Sequence, residues 1–150
     1  MAVLVPGGVV LRDQLNRKYP KRDKRSDGWV GDSAHSARKS DHNPDSKGRV
    51  HALDIDENFG IGADRDGPAA EQFAKELLAY AASGKAGSDR IKNVVYENRV
   101  ASGTYRDRLR FWRWRKGSYG HTGHVHISFT AKAETDGRPY PLPCLKIVKR

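Results

Sequence analysis

The spacing of apolar residues changes several times along the chain, and each change predicts an element. Residues 124–129 (HVHISF) alternate strictly, with Val125, Ile127 and Phe129 on one side and His124, His126 and Ser128 on the other. That is the period of a strand with one buried face. Residues 50–56 (VHALDID) alternate in the same way. His51, Leu53 and Ile55 share one face, and Val50, Ala52, Asp54 and Asp56 share the other. Two further short strands are predicted at residues 91–96 and 99–102, on either side of Glu97 and Asn98. Over residues 68–83 the period lengthens to that of a helix, with Phe73, Leu77 and Tyr80 in one row and Ala74, Leu78 and Ala81 beside it. Pro68 suits the first turn of this helix, Glu71 its positive end, and Gly84 its cap. A shorter helix is predicted at residues 11–19, with Leu11 and Leu15 on one face and Pro20 ending it.

The connecting stretches read as loops. Residues 21–25 are densely basic and predict a solvated loop, and Asp27–Gly28 is a turn signal. Residues 40–49 and 58–67 have loop composition, and the tail from Glu134 is expected to wrap the surface. One strong helix with several short strands, and no alternation of strands with helices, predicts an α+β fold built on a small antiparallel sheet with flanking helices.

Composition narrows the picture. A chain of 150 residues suffices for one domain with a modest core. Hydrophobic residues are only 37%, but three Trp, six Tyr and four Phe supply enough packing surface to argue against general disorder. Lys and Arg outnumber Asp and Glu by 28 to 18, a net charge of +10. Such a chain favours an anionic partner: nucleic acid, an anionic membrane surface or a polyanionic cell wall. The single cysteine, Cys144, excludes an internal disulfide and a cysteine-based zinc knuckle. No apolar run approaches the roughly 18 residues of a membrane span. The first residues lack the charged front and cleavage site of a signal peptide.

The histidines carry the candidate chemistry. His124 and His126 project side by side from the polar face of their strand, and Asp54 and Asp56 from that of theirs. If the strands are neighbours, imidazole and carboxylate converge, and His42 in the preceding loop can supply a third group. Two neutral imidazoles and one carboxylate with an open position make a catalytic zinc site. The bland alternative is a set of satisfied or surface polar groups, and on pattern alone both readings stand. His51, on the apolar face, reads as a structural histidine, and His35 has no assigned role. Trp112 and Trp114 alternate with arginines and suit either a binding groove or packing.

The combination of SDH at residues 40–42, A-x-D at 52–54 and H-x-x-H-x-H at 121–126 resembles the LAS zinc metallopeptidases. These include D-Ala-D-Ala peptidases, the penicillin-insensitive murein endopeptidase and phage endolysin peptidases. The wider run, including DGWVGDSAHSARKSDHNPD, VVYENRVAS and WRWRKGSYGHTGHVHISF, resembles peptidase domains of endolysins from phages of actinobacteria. That likeness spans most of residues 9–130. It implies a hedgehog/DD-peptidase type of fold, one zinc peptidase domain over residues 1–150 with a tail at 131–150, and zinc (Zn2+) as cofactor. It implies His42, Asp54 and His126 as the metal ligands, with Asp56 on the same face as the alternative carboxylate. Many relatives place a glutamate base three positions before the last ligand. Here that position is Gly123, so the base role passes to His124, with His121 beside it, as in the murein endopeptidase pattern. Arg38 is a candidate for binding a substrate carboxylate or oxyanion, Tyr119 a candidate oxyanion donor, and Asp41 a candidate partner for an imidazole or a turn.

The implied partner is bacterial peptidoglycan, hydrolysed at a stem-peptide or cross-bridge amide by a monomer. The implied setting is a protein made in the host cytoplasm and released to the wall with a holin. Two other classes compete. DHNP at residues 41–44 faintly resembles the start of an HNH nuclease motif, but no later Asn and His complete it. A non-enzymatic wall-binding module would leave the placement of the histidine and aspartate strands unexplained. The basic charge is spread along the chain instead of grouped on one helix. This predicts attraction to an anionic wall without sequence-specific binding of nucleic acid.

Overall fold

The computed structural model describes residues 2–25, 27–29, 41–60, 68–103, 112–117 and 123–147. Strand β7 (His124–Phe129) lies inside a five-stranded sheet, where its alternation has a consequence on each face. The sheet order is β3 (Ala52–Asp56), β7, β4 (Ile91–Tyr96), β5 (Arg99–Ser102) and β6 (Arg115–Lys116). Every pairing in it is antiparallel. Register places Leu53 opposite Ile127 and Ile55 opposite Val125, and on the other side of β7 it places Val94 opposite Ile127. These residues form one continuous apolar face. The opposite face carries Asp54 beside His126 and Asp56 beside His124.

Helices cover the apolar face. Helix α2 (Pro68–Ala82) buries Phe73, Ala74, Leu77 and Tyr80 against it, as its period predicts. Helix α1 (Pro6–Lys18) buries Leu11 and Leu15. It starts five residues before the predicted Leu11, because Pro6 fits a first helical turn and the Gly7–Gly8 pair is used for close packing. A Cβ on Gly8 would lie 3.1 Å from the Phe129 ring and 2.9 Å from Leu4, and one on Gly7 2.8 Å from Ala133. The glycines cost helix propensity but let α1 approach the sheet closely.

Three other expectations are corrected. Residues 50–56 are not one strand. Arg49–Val50 (β2) pairs in parallel with Val3–Leu4 (β1), the chain breaks at His51, and β3 then joins the main sheet. The tail does not merely wrap the surface: Tyr140, Leu142 and Leu145 are buried in the core. It is held by the fully buried Arg90, which donates to the carbonyls of Asp136 and Arg138 and lies 3.8 Å over the Tyr140 ring. The basic stretch at 21–25 is not uniformly solvated, since Arg22 is only 5% exposed. The hairpin between β4 and β5 turns at Glu97 and Asn98, whose φ values of 51° and 59° give the left-handed geometry of a two-residue turn.

Candidate metal centre

The centre sits on the polar face of the sheet, where β3 and β7 run side by side. Asp54 and His126 are direct cross-strand partners, so their side chains leave the sheet together. The Asp54 carboxylate meets His126 Nδ1 at 3.0 Å through Oδ1 and His42 Nε2 at 3.3 Å through Oδ2. His42 Nε2 and His126 Nδ1 are 3.2 Å apart. His42 and His126 are 4% and 8% exposed, so three titratable side chains share one nearly buried point.

His42 arrives from a loop anchored on three sides. The Asp41 carbonyl accepts the His51 N–H, and the Asp41 carboxylate takes the Lys92 ammonium at 3.0 Å. Asp41 therefore ties the loop to β4 and its carboxylate does not accept from either imidazole of the centre. His42 Nδ1–H donates to the Trp29 carbonyl at 3.1 Å, which turns Nε2 inward. Trp29 is itself set by a short bridge in which Gly28 and Asp54 exchange both backbone hydrogen bonds. On the other side, His126 Nε2 lies 2.8 Å from the Ser128 hydroxyl. That hydroxyl can donate to Nε2 when Nδ1 carries a proton toward Asp54, and can accept from Nε2–H when Nδ1 is bare.

Electrostatics follow from this packing. Burial alone would lower the pKa of His42, but the hydrogen bond and charge of Asp54, the Trp29 carbonyl and Asp41 outweigh it and raise it. Burial likewise works against the Asp54 carboxylate, yet the bonds to His126 and His42 hold it far below the usual range. Without a metal the cluster is a proton-bridged imidazole–carboxylate group. A metal would take the place of those protons.

The residues fit a metal such as zinc. A tetrahedral ion with bonds of about 2.0–2.1 Å requires ligand atoms about 3.3–3.4 Å apart. The observed separations of 3.0, 3.2 and 3.3 Å are close to that edge. Both rings also have an outer nitrogen engaged by a carbonyl or hydroxyl, the usual support for a metal-binding imidazole. His42, Asp54 and His126 thus form a group that could hold a metal ion.

The remaining candidates separate clearly. His124 lies on the same face, with Nε2 3.7 Å from Asp54 Oδ2 and a side chain 23% exposed. The Asp56 N–H donates to Asp27 and its Oδ1 accepts the Asn58 N–H. Asp56 lies outside the three-residue group. Arg38, His121, Tyr119 and His35 lie outside the described residues. Trp112 is buried against Gly103, and Trp114 is partly buried against the core with Arg99 over its ring at 4.4 Å. His51 Nε2–H donates to Glu134 Oε2 at 2.7 Å, a satisfied histidine as its sequence position predicts. With Asp45 it forms a second acidic group, but Arg49 already bridges Asp45 and Glu134 with its own positive charge.

Fold and site together define an α+β protein with a candidate metal centre on the polar face of an antiparallel sheet. No protein-family model matches the chain, and no curated protein or solved structure matches it either.

Proposed function

We propose that the protein is a zinc-dependent peptidase of bacterial peptidoglycan, hydrolysing an amide bond in the stem peptide or cross-bridge. The observation that carries this reading is the convergence of His42 Nε2, His126 Nδ1 and the Asp54 carboxylate at tetrahedral ligand spacing. The likeness of its motifs to the LAS peptidases supplies the substrate class.

His42, Asp54 and His126 would hold the zinc, and the metal would supply the Lewis acidity that polarises a carbonyl and acidifies water. His124 lies on the same face beside Asp54, partly open to solvent, and serves as the proton acceptor. Histidine suits proton exchange near neutral pH. Ser128 and the Trp29 carbonyl keep the two ligand rings aimed during turnover. The net charge of +10 draws the enzyme to an anionic wall.

The test pairs metal analysis with zymography on cell walls and on DNA. About one zinc per chain with clearing of walls supports the reading. Absence of stoichiometric zinc, or degradation of DNA with walls left intact, overturns it. Mass spectrometry of released muropeptides then identifies the bond.

A further inference from the structure

A buried ion pair, Arg22–Asp27, lies one backbone step from the segment that bonds His42. Arg22 has a fully buried side chain, and its guanidinium is bound on every side. Nε donates to Asn16 of helix α1 at 2.8 Å, while Nη1 and Nη2 form a fork on the two oxygens of Asp27 at 3.0 and 2.6 Å. Asp27 Oδ1 also accepts the backbone N–H of Asp56 at 2.7 Å. The carboxylate thus joins the helix to the edge of β3. The next residue, Gly28, exchanges two backbone hydrogen bonds with Asp54, and the one after, Trp29, offers its carbonyl to His42 Nδ1–H.

We propose that the Arg22–Asp27 pair is a positioning device for His42. It fixes the segment 27–29 against β3, so that the Trp29 carbonyl selects one ring orientation and presents Nε2 to Asp54 and His126. The argument is geometric. A surface loop would leave the Trp29 carbonyl free to turn toward water. Here the segment is held by a two-point backbone bridge and by a fork whose planar geometry tolerates little displacement. Arg22 sits in a run of five residues that contains four cations, and it is the one that is buried.

The inference rests on the proposed metal reading only for its consequence, since ring orientation is measurable without metal. Four variants are compared: Asp27→Asn, which keeps an acceptor for the Asp56 N–H; Arg22→Lys; Arg22→Met; and Arg90→Met. The last removes a buried guanidinium whose side chain bonds Gly87, Tyr80, Asp136 and Arg138 instead, and serves as a stability control. The first readout is the exchange protection of the His42 Nδ1–H proton, followed by NMR in metal-free protein. The wild type and Arg90→Met are expected to show this proton held by the Trp29 carbonyl and protected from solvent. Asp27→Asn and Arg22→Met are expected to lose that protection as the ring leaves its single orientation. The second readout is the zinc dissociation constant by competition with a chromophoric chelator. Loss of a group that supports a ligand weakens binding about 10–100-fold, with Arg22→Lys falling between Arg22→Met and wild type. A folded Asp27→Asn with the wild-type protection of His42 Nδ1–H overturns the proposal. So does a loss in Arg90→Met equal to that in Asp27→Asn. A wild type that shows the protected proton but binds no zinc overturns the metal reading and leaves the positioning role supported.

Discussion

Asp54 and Asp56 share a strand face two residues apart, yet they are placed in different chemistry. Asp54 is bridged to Gly28 through its backbone, which leaves its carboxylate for the two imidazoles. Asp56 Oδ1 accepts the Asn58 N–H, where the chain leaves the sheet. Asp54→Asn is therefore expected to abolish tight zinc binding, while Asp56→Asn keeps the metal and loses some stability. Zinc content after dialysis and a thermal melt, run on both variants, separate the two roles. The reverse order of zinc loss would assign the ligand to Asp56. His124 is near the carboxylate but at 3.7 Å, outside the ligand spacing. His124→Ala is expected to retain zinc and to lose about 10²–10⁴-fold in turnover, the range of a general-base contribution. Single-turnover rates on metal-replete protein test this, and a near-normal rate would remove His124 from the proton-transfer role.

Helix α2 and strand β7 contribute to the same core, and the alternation of β7 divides labour between packing and chemistry. Val125, Ile127 and Phe129 pack beneath the sheet while His124, His126 and Ser128 stand above it. The helix thus stabilises the strand without touching the centre. Leu77 is fully buried in that helix. Leu77→Ala is expected to cost about 2–5 kcal/mol of stability through lost burial and a cavity. Denaturant unfolding measures that cost. Because Leu77 lies under the apolar face, the zinc affinity of the folded fraction should change little. A large change in affinity with little change in stability would contradict this separation of faces.

The folded chain as a unit keeps protons that the unfolded chain would release at alkaline pH. Burial, aided by Glu76, pushes the Cys144 thiol from 9.0 up to about 12. Burial also raises the phenols of Tyr19, Tyr96 and Tyr140, with Glu57 adding to the effect at Tyr96. In each case the folded state binds more protons than the unfolded state above the ordinary value. Their contribution to stability is present below about pH 9 and is lost as pH rises above it. The melting temperature is expected to fall between about pH 9 and 11. A flat profile there would show that these groups are more solvated than their burial indicates. The positive surface predicts a second bulk property. Wall lysis should decline as salt rises, because attraction over more than about 10 Å is screened at 0.1 M. Lysis unaffected by salt would remove long-range attraction from the account.

The strands at 91–96, 99–102 and 124–129 and the helix near 68–82 were legible because their signals are local. Side-chain period alone separates an alternating strand from a helical stripe. The polar face with His124, His126, Asp54 and Asp56 was legible for the same reason, and the motif likeness pointed to His42. Long-range contacts carried no such local signal. His42 and His126 are 84 positions apart, and their meeting depends on β3 and β7 being neighbours in one register. A shift of one residue would have turned Asp54 to the opposite face. That Asp54, and not Asp56, stands in the three-residue group with His42 and His126 was visible only in the folded arrangement. Gly7 and Gly8 carried no reading in the sequence, and the closeness of α1 to Phe129 and Ala133 explains them. Arg22 and its neighbours are chemically alike in the sequence, and only the buried carboxylate of Asp27 distinguishes them. Periodicity assigned residues to faces because it depends on neighbours along the chain. Burial, register and ion pairing fixed the centre because they depend on neighbours in space.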